Sequence, residues 1–446
     1  MNILLVVHQF FPQDRTGTEV LTLELARGLK AKGHQVQILS GAPEQITSET
    51  SKCWLTQDDY AGFTIYRMHY ITNNLRDRIS HHLSAPDRID LVKSLVSKLT
   101  PDIVHFNHIM GFSAQIIPQI HRMKIPVTFT PTDFWTVCPL TTLFRPRDKI
   151  ICENNLDPGN CLSCMKPIPR WASRIALMVG ELPFKNRYVK IDSIDALRRR
   201  LKTIVQSVNE ADRIFPATRF LAKILINSGV EAIRVKVIPY GIDIGYLPPQ
   251  IQIPMCFSET IPLRIGFIGT LSEVKGPHVI LNALSLLGEK IRMVTLDIYG
   301  KINQSDPYYQ EIQKKAEVFN SKVNFNGTFP HERIGEVLRS LHLIVVPSLW
   351  YESAPLVLCS TLKAGTPVLV SRLEGMTELI DEGENGFSFH IGDAHELKKI
   401  IVRILENPGI LIEIQRNMKT RERSTSTYTN EIENEYFEII NKMAKG

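Results

Sequence analysis

The stretch LIVVPSLWYESAPLVLCSTLKAGTPVLV, residues 343–370, reads as strand, turn, helix and strand in succession. Leu343 to Val346 is a short apolar run, and Pro347 ends it by offering no N–H to a sheet ladder. Pro355 suits the first turn of a helix, where its missing N–H would be unpaired anyway, and the helix runs from Leu356 to Ala364. Apolar residues resume at 367–370. Two buried strands joined by a crossover helix form one unit of a parallel sheet.

The same grammar continues outward. In the second half, apolar runs at 263–269, 294–298, 323–325, 343–346, 367–370 and 386–389 alternate with amphipathic segments. In the first half, runs at 3–7, 36–39, 64–68, 102–106 and 127–130 do the same. A helix over about 19–32 places Val20, Leu23, Leu25, Ala26 and Leu29 near one stripe, and Gly33 stops it. The expectation is an α/β protein of two doubly wound, Rossmann-like domains with parallel sheets. Pro248, Pro249, Pro254 and Pro262 punctuate an aperiodic stretch that reads as a linker. The domains are therefore expected at 1–246 and 263–428, with a linker at 247–262 and an insertion at about 138–210. A C-terminal helix at 429–446 carries Ile432, Tyr436, Ile439 and Ile440 on one side, and it is expected to pack back on the first domain.

Composition sets the outer limits. The chain has 446 residues, 43% apolar and 22% charged, with 25 Gly and 26 Pro, which excludes a small disulfide scaffold and a disordered chain. Its 52 Lys and Arg exceed 46 Asp and Glu by 6, a mild excess that permits an anionic ligand or membrane surface. Nucleic acid is not an expected partner. The run Ile3 to Val7 has no basic flank and is too short to span a bilayer; the uncharged stretch Ile103 to His121 carries too many polar side chains to do so. A cytoplasmic protein is expected, at most peripheral on the inner face of the membrane, with thiols unbridged.

The turn at 348–355 carries the chemistry. Free amides of the helix start at Leu356 favour a phosphate, through both hydrogen bonding and the helix dipole. Glu352 beside them is placed to accept sugar hydroxyls; the plainer alternative is a solvated Glu ahead of an ordinary helix. A second strand-to-helix turn, Gly269 to Gly276, holds Lys275, which as a point charge can meet a diphosphate or can be a simple surface Lys. The turn lacks the spacing of a Walker loop.

Further pieces stand in a telling order: Phe11-Pro12, Gly17-Thr18-Glu19, Leu25-Ala26, Gly33-His34, Pro239-Tyr240-Gly241-Ile242-Asp243, Lys275-Gly276, Tyr299-Gly300, Trp350-Tyr351-Glu352, Ala364-Gly365-Thr366-Pro367, Gly375, Glu378 and Asn385-Gly386. Together they resemble the retaining, nucleotide-sugar-dependent glycosyltransferases of GT-B fold, family-four type, over nearly the whole chain. The resemblance implies two domains that close on a nucleotide sugar held mainly by the second. It gives Lys275 the leaving diphosphate and Glu352 the donor sugar. The donor site would take in Gly269, Thr270, Ser353, Ala354, Pro355, Leu356, Val357 and Ser360. The acceptor side would take in Gly17, Thr18, Thr132, Asp133 and His108, with Asp133 orienting the acceptor hydroxyl. A turn or cap is the alternative role for Asp133, and a core or capping role for His105 and His108. The family normally needs no divalent metal for this chemistry.

Three positions depart from the family's pattern: Thr270 where Arg is common, Ser360 where a second Glu grips the ribose, and Thr132 where His often precedes Asp133. Replacing a charged partner forfeits roughly 1.5–3 kcal/mol per contact. These departures motivate an alternative, a non-catalytic nucleotide-sugar-binding subunit or scaffold. The leading expectation is transfer of a sugar from a nucleotide-diphosphate donor to a saccharide or lipid-linked hydroxyl acceptor with retention, in surface polysaccharide or glycolipid biosynthesis.

Thr132-Asp133-Phe134-Trp135 followed by Cys138-Pro139 resembles a subgroup with a Cys-rich insertion. Cys138, Cys152, Cys161 and Cys164 fall close together, and the two-residue spacing of the last pair suits zinc, or an iron–sulfur cluster, as a structural site. Buried thiols are the alternative. Between Lys166 and Lys202 lie ten Lys or Arg against three acids, around Trp171, Ile175, Leu177, Met178 and Val179. That stretch reads as a peripheral membrane surface or as an ordinary solvated helix face.

Overall fold

Ile3 to Val7 are wholly buried, as a strand covered on both faces must be. The computed structural model describes residues 1–44, 53–71, 79, 83–153, 158–165, 191–418 and 423–445. The chain forms two compact units, one of Met1–Tyr240 with Thr425–Gly446 and one of Gly241–Ser424.

In the first unit the strands are β1 (Asn2–Val7), β2 (Gln35–Glu44), β3 (Trp54–Tyr60), β4 (Phe63–Ile71), β5 (Ile103–Phe106), β6 (Val127–Phe129), the short pair β7 (Phe144–Arg145) and β8 (Ile150–Ile151), and β9 (Arg213–Ile214). The main sheet has the order β3-β4-β2-β1-β5-β6-β9. Its pairings are parallel, with Ile3 opposite Val36 and Ile103, except that β3 turns back antiparallel on β4. That edge strand is mostly exposed and has no apolar run. The turn at Ala61 and Gly62, both at positive φ, folds it over. Arg67 then ties it down, with Nε 3.0 Å from Asp58 Oδ2 and Nη2 2.6 Å from the Phe11 carbonyl.

The second unit holds β10 (Leu263–Ile268), β11 (Val294–Tyr299), β12 (Val323–Gly327), β13 (Leu343–Val346), β14 (Val368–Ser371) and β15 (Gly386–Phe389). Their order is β12-β11-β10-β13-β14-β15, all parallel. The order reverses between β10 and β13, the switch point at which ligands of such sheets sit. The stretch read as a linker is hydrogen-bonded along this unit: the Ile251 amide reaches the Arg339 carbonyl at 2.9 Å, and Gln250 Nε2 the Leu341 carbonyl at 3.1 Å.

The C-terminal helix, Thr425–Lys445, belongs to the first unit and packs against the helix Gly17–Ala31. A methyl group at Gly28 would lie 2.2 Å from Thr429 Oγ1, so glycine there lets the two helices approach. Glu433 takes Lys32 at 2.5 Å and His34 at 2.6 Å, while Glu435 pairs with Lys236 and Arg213. The hydroxyl of Tyr436 lies 2.6 Å from His105 Nδ1 with both residues buried. Tyr436→Phe leaves that nitrogen unmatched and should cost about 1–3 kcal/mol, read from the urea midpoint.

Burial pushes the His105 imidazole down to about 3, against an ordinary value of about 6.5 in an unfolded chain. Between those values the unfolded chain binds a proton that the folded chain does not, so stability falls as pH drops through this window. Urea melts at about pH 7.5 and about pH 5 should differ in that direction.

Candidate active site

Because β10 and β13 are neighbours, with Ile265 opposite Leu343, the turns that follow them are neighbours too. Gly276 permits the close contact. It sits at φ 74°, and a Cβ there would lie 2.1 Å from the Pro347 carbonyl oxygen. The Leu349 amide donates to the Val274 carbonyl at 2.8 Å, which laces the two turns together.

Lys275 and Glu352 meet at this seam. Lys275 Nζ lies 2.6 Å from Glu352 Oε1, and the same oxygen accepts from Ser348 Oγ and Trp350 Nε1, each at 2.9 Å. Lys275 Nζ also stands 5.5 Å from the centre of the Trp350 ring. One carboxylate oxygen is thus held by three donors, and Oε2 has no hydrogen-bond partner among the described residues. Two helices begin beside the pair, Pro277–Ser285 and Leu356–Ala364. Pro355 is the residue before the second helix rather than its first residue. The Leu358 amide is the first to bond back, to the Pro355 carbonyl at 3.0 Å, so the amides of Leu356 and Val357 lie ahead of the bonded register.

Gly269 and Thr270 lie on the neighbouring turn, where the Gly269 amide donates to the Tyr299 carbonyl at 3.0 Å. Ser353 is half-buried, and Ala354 is buried. Ser360 departs from expectation. It is completely buried, its hydroxyl has no hydrogen-bond partner among the described residues, and it presents nothing to a ligand. Ser360→Ala should therefore leave stability unchanged or raise it by about 0.5–1 kcal/mol, measured by thermal melting.

A second constellation lies in the first unit, at the ends of β1, β5 and β6. Thr18 Oγ1 donates to Thr132 Oγ1 at 2.8 Å, next to Gly17 at the start of its helix. His108 Nδ1 accepts from the Met110 amide at 3.0 Å, so a neutral ring carries its proton on Nε2, which is 3.1 Å from Asp133 Oδ2. The other oxygen of Asp133 accepts from the Trp135 amide at 2.7 Å. Asp133 therefore caps a turn and holds an imidazole at once.

Sequence reasoning overlooked His8 here and took Glu19 only as part of the Gly17-Thr18-Glu19 piece. The His8 ring lies 4.2 Å from that of His108, and burial together with His108 holds it well below its ordinary pKa. Burial raises the Glu19 carboxyl, which reaches back to the Thr16 amide at 2.7 Å. His8 directly follows β1, and its place after a strand was the available signal.

Cys138, Cys152, Cys161 and Cys164 all line one small cavity with Leu143 and Phe144, and none of the seven cysteines is in a disulfide. Burial and the neighbouring thiols push Cys161 up to about 12 and Cys164 up to about 11. Arg170, Arg174, Lys185, Arg187, Lys190 and the apolar residues among them lie outside the described residues. Among the described residues no helix is long and apolar enough to cross a membrane.

The description "Glycosyltransferase Family 4" matches residues 15–154, and "Glycosyl transferases group 1" matches residues 259–425, together more than half of the chain. The chain belongs to the glycosyltransferases of this family. Among curated family members, a glycogen synthase from Mycobacterium tuberculosis is 28% identical over 195 residues, 44% of this chain and 45% of that protein. The match spans about half the length of such relatives. Two solved structures share the GT-B glycosyltransferase fold. Anabaena HepE in complex with UDP superposes with a TM-score of 0.65 at 16% identity over 98% of this chain and 100% of that one. A sucrose-phosphate synthase from Thermosynechococcus elongatus gives 0.67 at 15% identity over 99% and 100%.

Proposed function

We propose that this glycosyltransferase moves a sugar from a nucleoside diphosphate donor to a saccharide or lipid-linked hydroxyl acceptor, with retention of configuration, in surface polysaccharide or glycolipid assembly. The Lys275–Glu352 pair carries this reading. A carboxylate with one oxygen anchored threefold and the other unclaimed is a rigid acceptor for sugar hydroxyls. The ammonium beside it and the helix-start amides of Leu356 and Val357 offer positive charge to a diphosphate. As the glycosidic bond breaks, negative charge grows on the departing diphosphate, and donors already in place there stabilise the transition state more than the ground state. The complexes of HepE with UDP and with UDP-glucose support a nucleotide-sugar ligand. Asp133 and His108 form the acceptor side in this reading, with His108 Nε2 and Asp133 Oδ2 close enough to share a proton.

The test is release of nucleoside diphosphate from a panel of nucleotide sugars with a glycan or lipid acceptor extract, with the anomeric configuration of the product read by NMR. Lys275→Ala should lower donor affinity and kcat together, each by about tenfold or more, because the charge it meets grows during the reaction. Unchanged kinetics would make it a surface Lys. Donor binding without turnover under every acceptor would favour the non-catalytic subunit.

A further inference from the structure

We infer that Cys138, Cys152, Cys161 and Cys164 are the four ligands of a single tetrahedral zinc ion that pins the turn carrying Asp133. The backbone presents the four side chains from three directions to one cavity. Cys138 follows the Asp133 turn, with its amide on the Phe134 carbonyl at 2.7 Å. Cys152 follows the hairpin of β7 and β8, its amide on the Leu143 carbonyl at 2.7 Å. Cys161 and Cys164 lie one turn apart on the helix Pro158–Met165, so both sulfurs leave the same face. Leu143 and Phe144 are buried in the wall of that cavity, and each of the four cysteines is half-buried.

The charge around the cavity points the same way. Four thiols that bind zinc release four protons, and the resulting tetrathiolate centre carries a net charge of minus two. Two cations face these cysteines: Arg145 interacts with Cys152 and Cys164, and Arg200 with Cys138 and Cys161. Both guanidinium groups are buried, at 9% and 2% exposure, and the Nε of each has no hydrogen-bond partner among the described residues. A buried N–H left unpaired is costly. A thiolate sulfur is an acceptor for it, and donors to the ligand sulfurs are a recurring support of metal sites. Arg200 also donates to the carbonyl oxygens of Trp135 and Thr136 and stands 4.9 Å from the Trp135 ring centre. The centre thereby connects to the turn that Asp133 caps.

Among the described residues, the ligand atoms already within 4.8 Å of one another are those of His390, Asp393 and Glu396. That group is a poorer cation site, because Arg372 Nη1 lies 3.0 Å from His390 Nε2 and Nη2 lies 3.3 Å from Glu396. No three of the four sulfurs lie within 4.8 Å of one another, so an ion would draw them together across the cavity, toward the zinc–sulfur distance of about 2.3 Å.

Protein purified under reducing conditions without added metal should contain about one zinc per chain by elemental analysis. Replacing that zinc with cobalt(II) in the intact wild-type chain should produce the thiolate charge-transfer and intense visible bands of a tetrahedral sulfur site. Cys161→Ser and Cys164→Ser should each lose the metal, and Cys256→Ser should keep it. If the cavity variants do not fold, the cobalt spectrum of the wild-type chain decides alone. Any of four results would overturn the inference: no zinc, iron with the visible absorption of an iron–sulfur cluster, a disulfide among the four, or zinc that survives the cysteine variants and is lost in His390→Ala.

Discussion

Glu352→Ala should lower transfer at least about a hundredfold, near 2.7 kcal/mol in transition-state stabilisation. The size follows from how the carboxylate is held. Ser348, Trp350 and Lys275 all converge on Oε1, so the group is fixed before any donor arrives and spends little freedom on binding one. Truncation removes the open acceptor, Oε2, and also the counter-charge that positions Lys275. Two functions fail together, which is why the loss should exceed that of one hydrogen bond. Glu352→Gln keeps the shape and one carbonyl acceptor, and its activity should fall between those of the alanine variant and the wild type. Initial rates at saturating donor, with thermal melts to confirm folding, make the comparison. Near-normal turnover in the alanine variant would take Glu352 out of the mechanism.

A chain ending at Ser424 should fail to form a stable first unit. The missing helix contributes Tyr428, Ile432 and Tyr436 at 0% exposure and Ile439 at 5%. Burying each such side chain is worth about 1.5–3 kcal/mol, so together they approach the whole stability of a domain, about 5–15 kcal/mol. Truncation also strips His105 of its hydroxyl partner and uncovers the Gly17–Ala31 helix. The expected readout is loss of soluble protein, or rapid proteolysis of the residues before Tyr240 while those after it resist. A soluble, cooperatively melting truncated chain would show that the helix is an appendage.

What could be read directly was whatever obeys a short period or a local backbone rule. The parallel strands of the second unit, such as 343–346 and 386–389, are continuous apolar runs because both faces are covered, and a run of that kind needs no partner to be recognised. Lys275 and Glu352 were legible because each follows such a run by a few residues, where a parallel sheet presents its ligand site. The edge strand β3 was not legible: its Gln57, Asp58 and Asp59 face water, and only the hairpin turn and Arg67 make it a strand. Tertiary structure alone decided that Glu352 Oε1 is the meeting point of three donors, since the separation of 77 positions from Lys275 to Glu352 is bridged by the pairing of β10 with β13. It alone enclosed Ser360, whose place on the helix faces inward, and set His8 against His108 from two adjacent strands. Spacing along the chain brings four cysteines near one another, but a common cavity depends on a turn, a hairpin and a helix each taking its own course. Local propensity fixes the buried parallel strands and the helices between them, and contacts between residues far apart in sequence depend on how the sheet orders its strands.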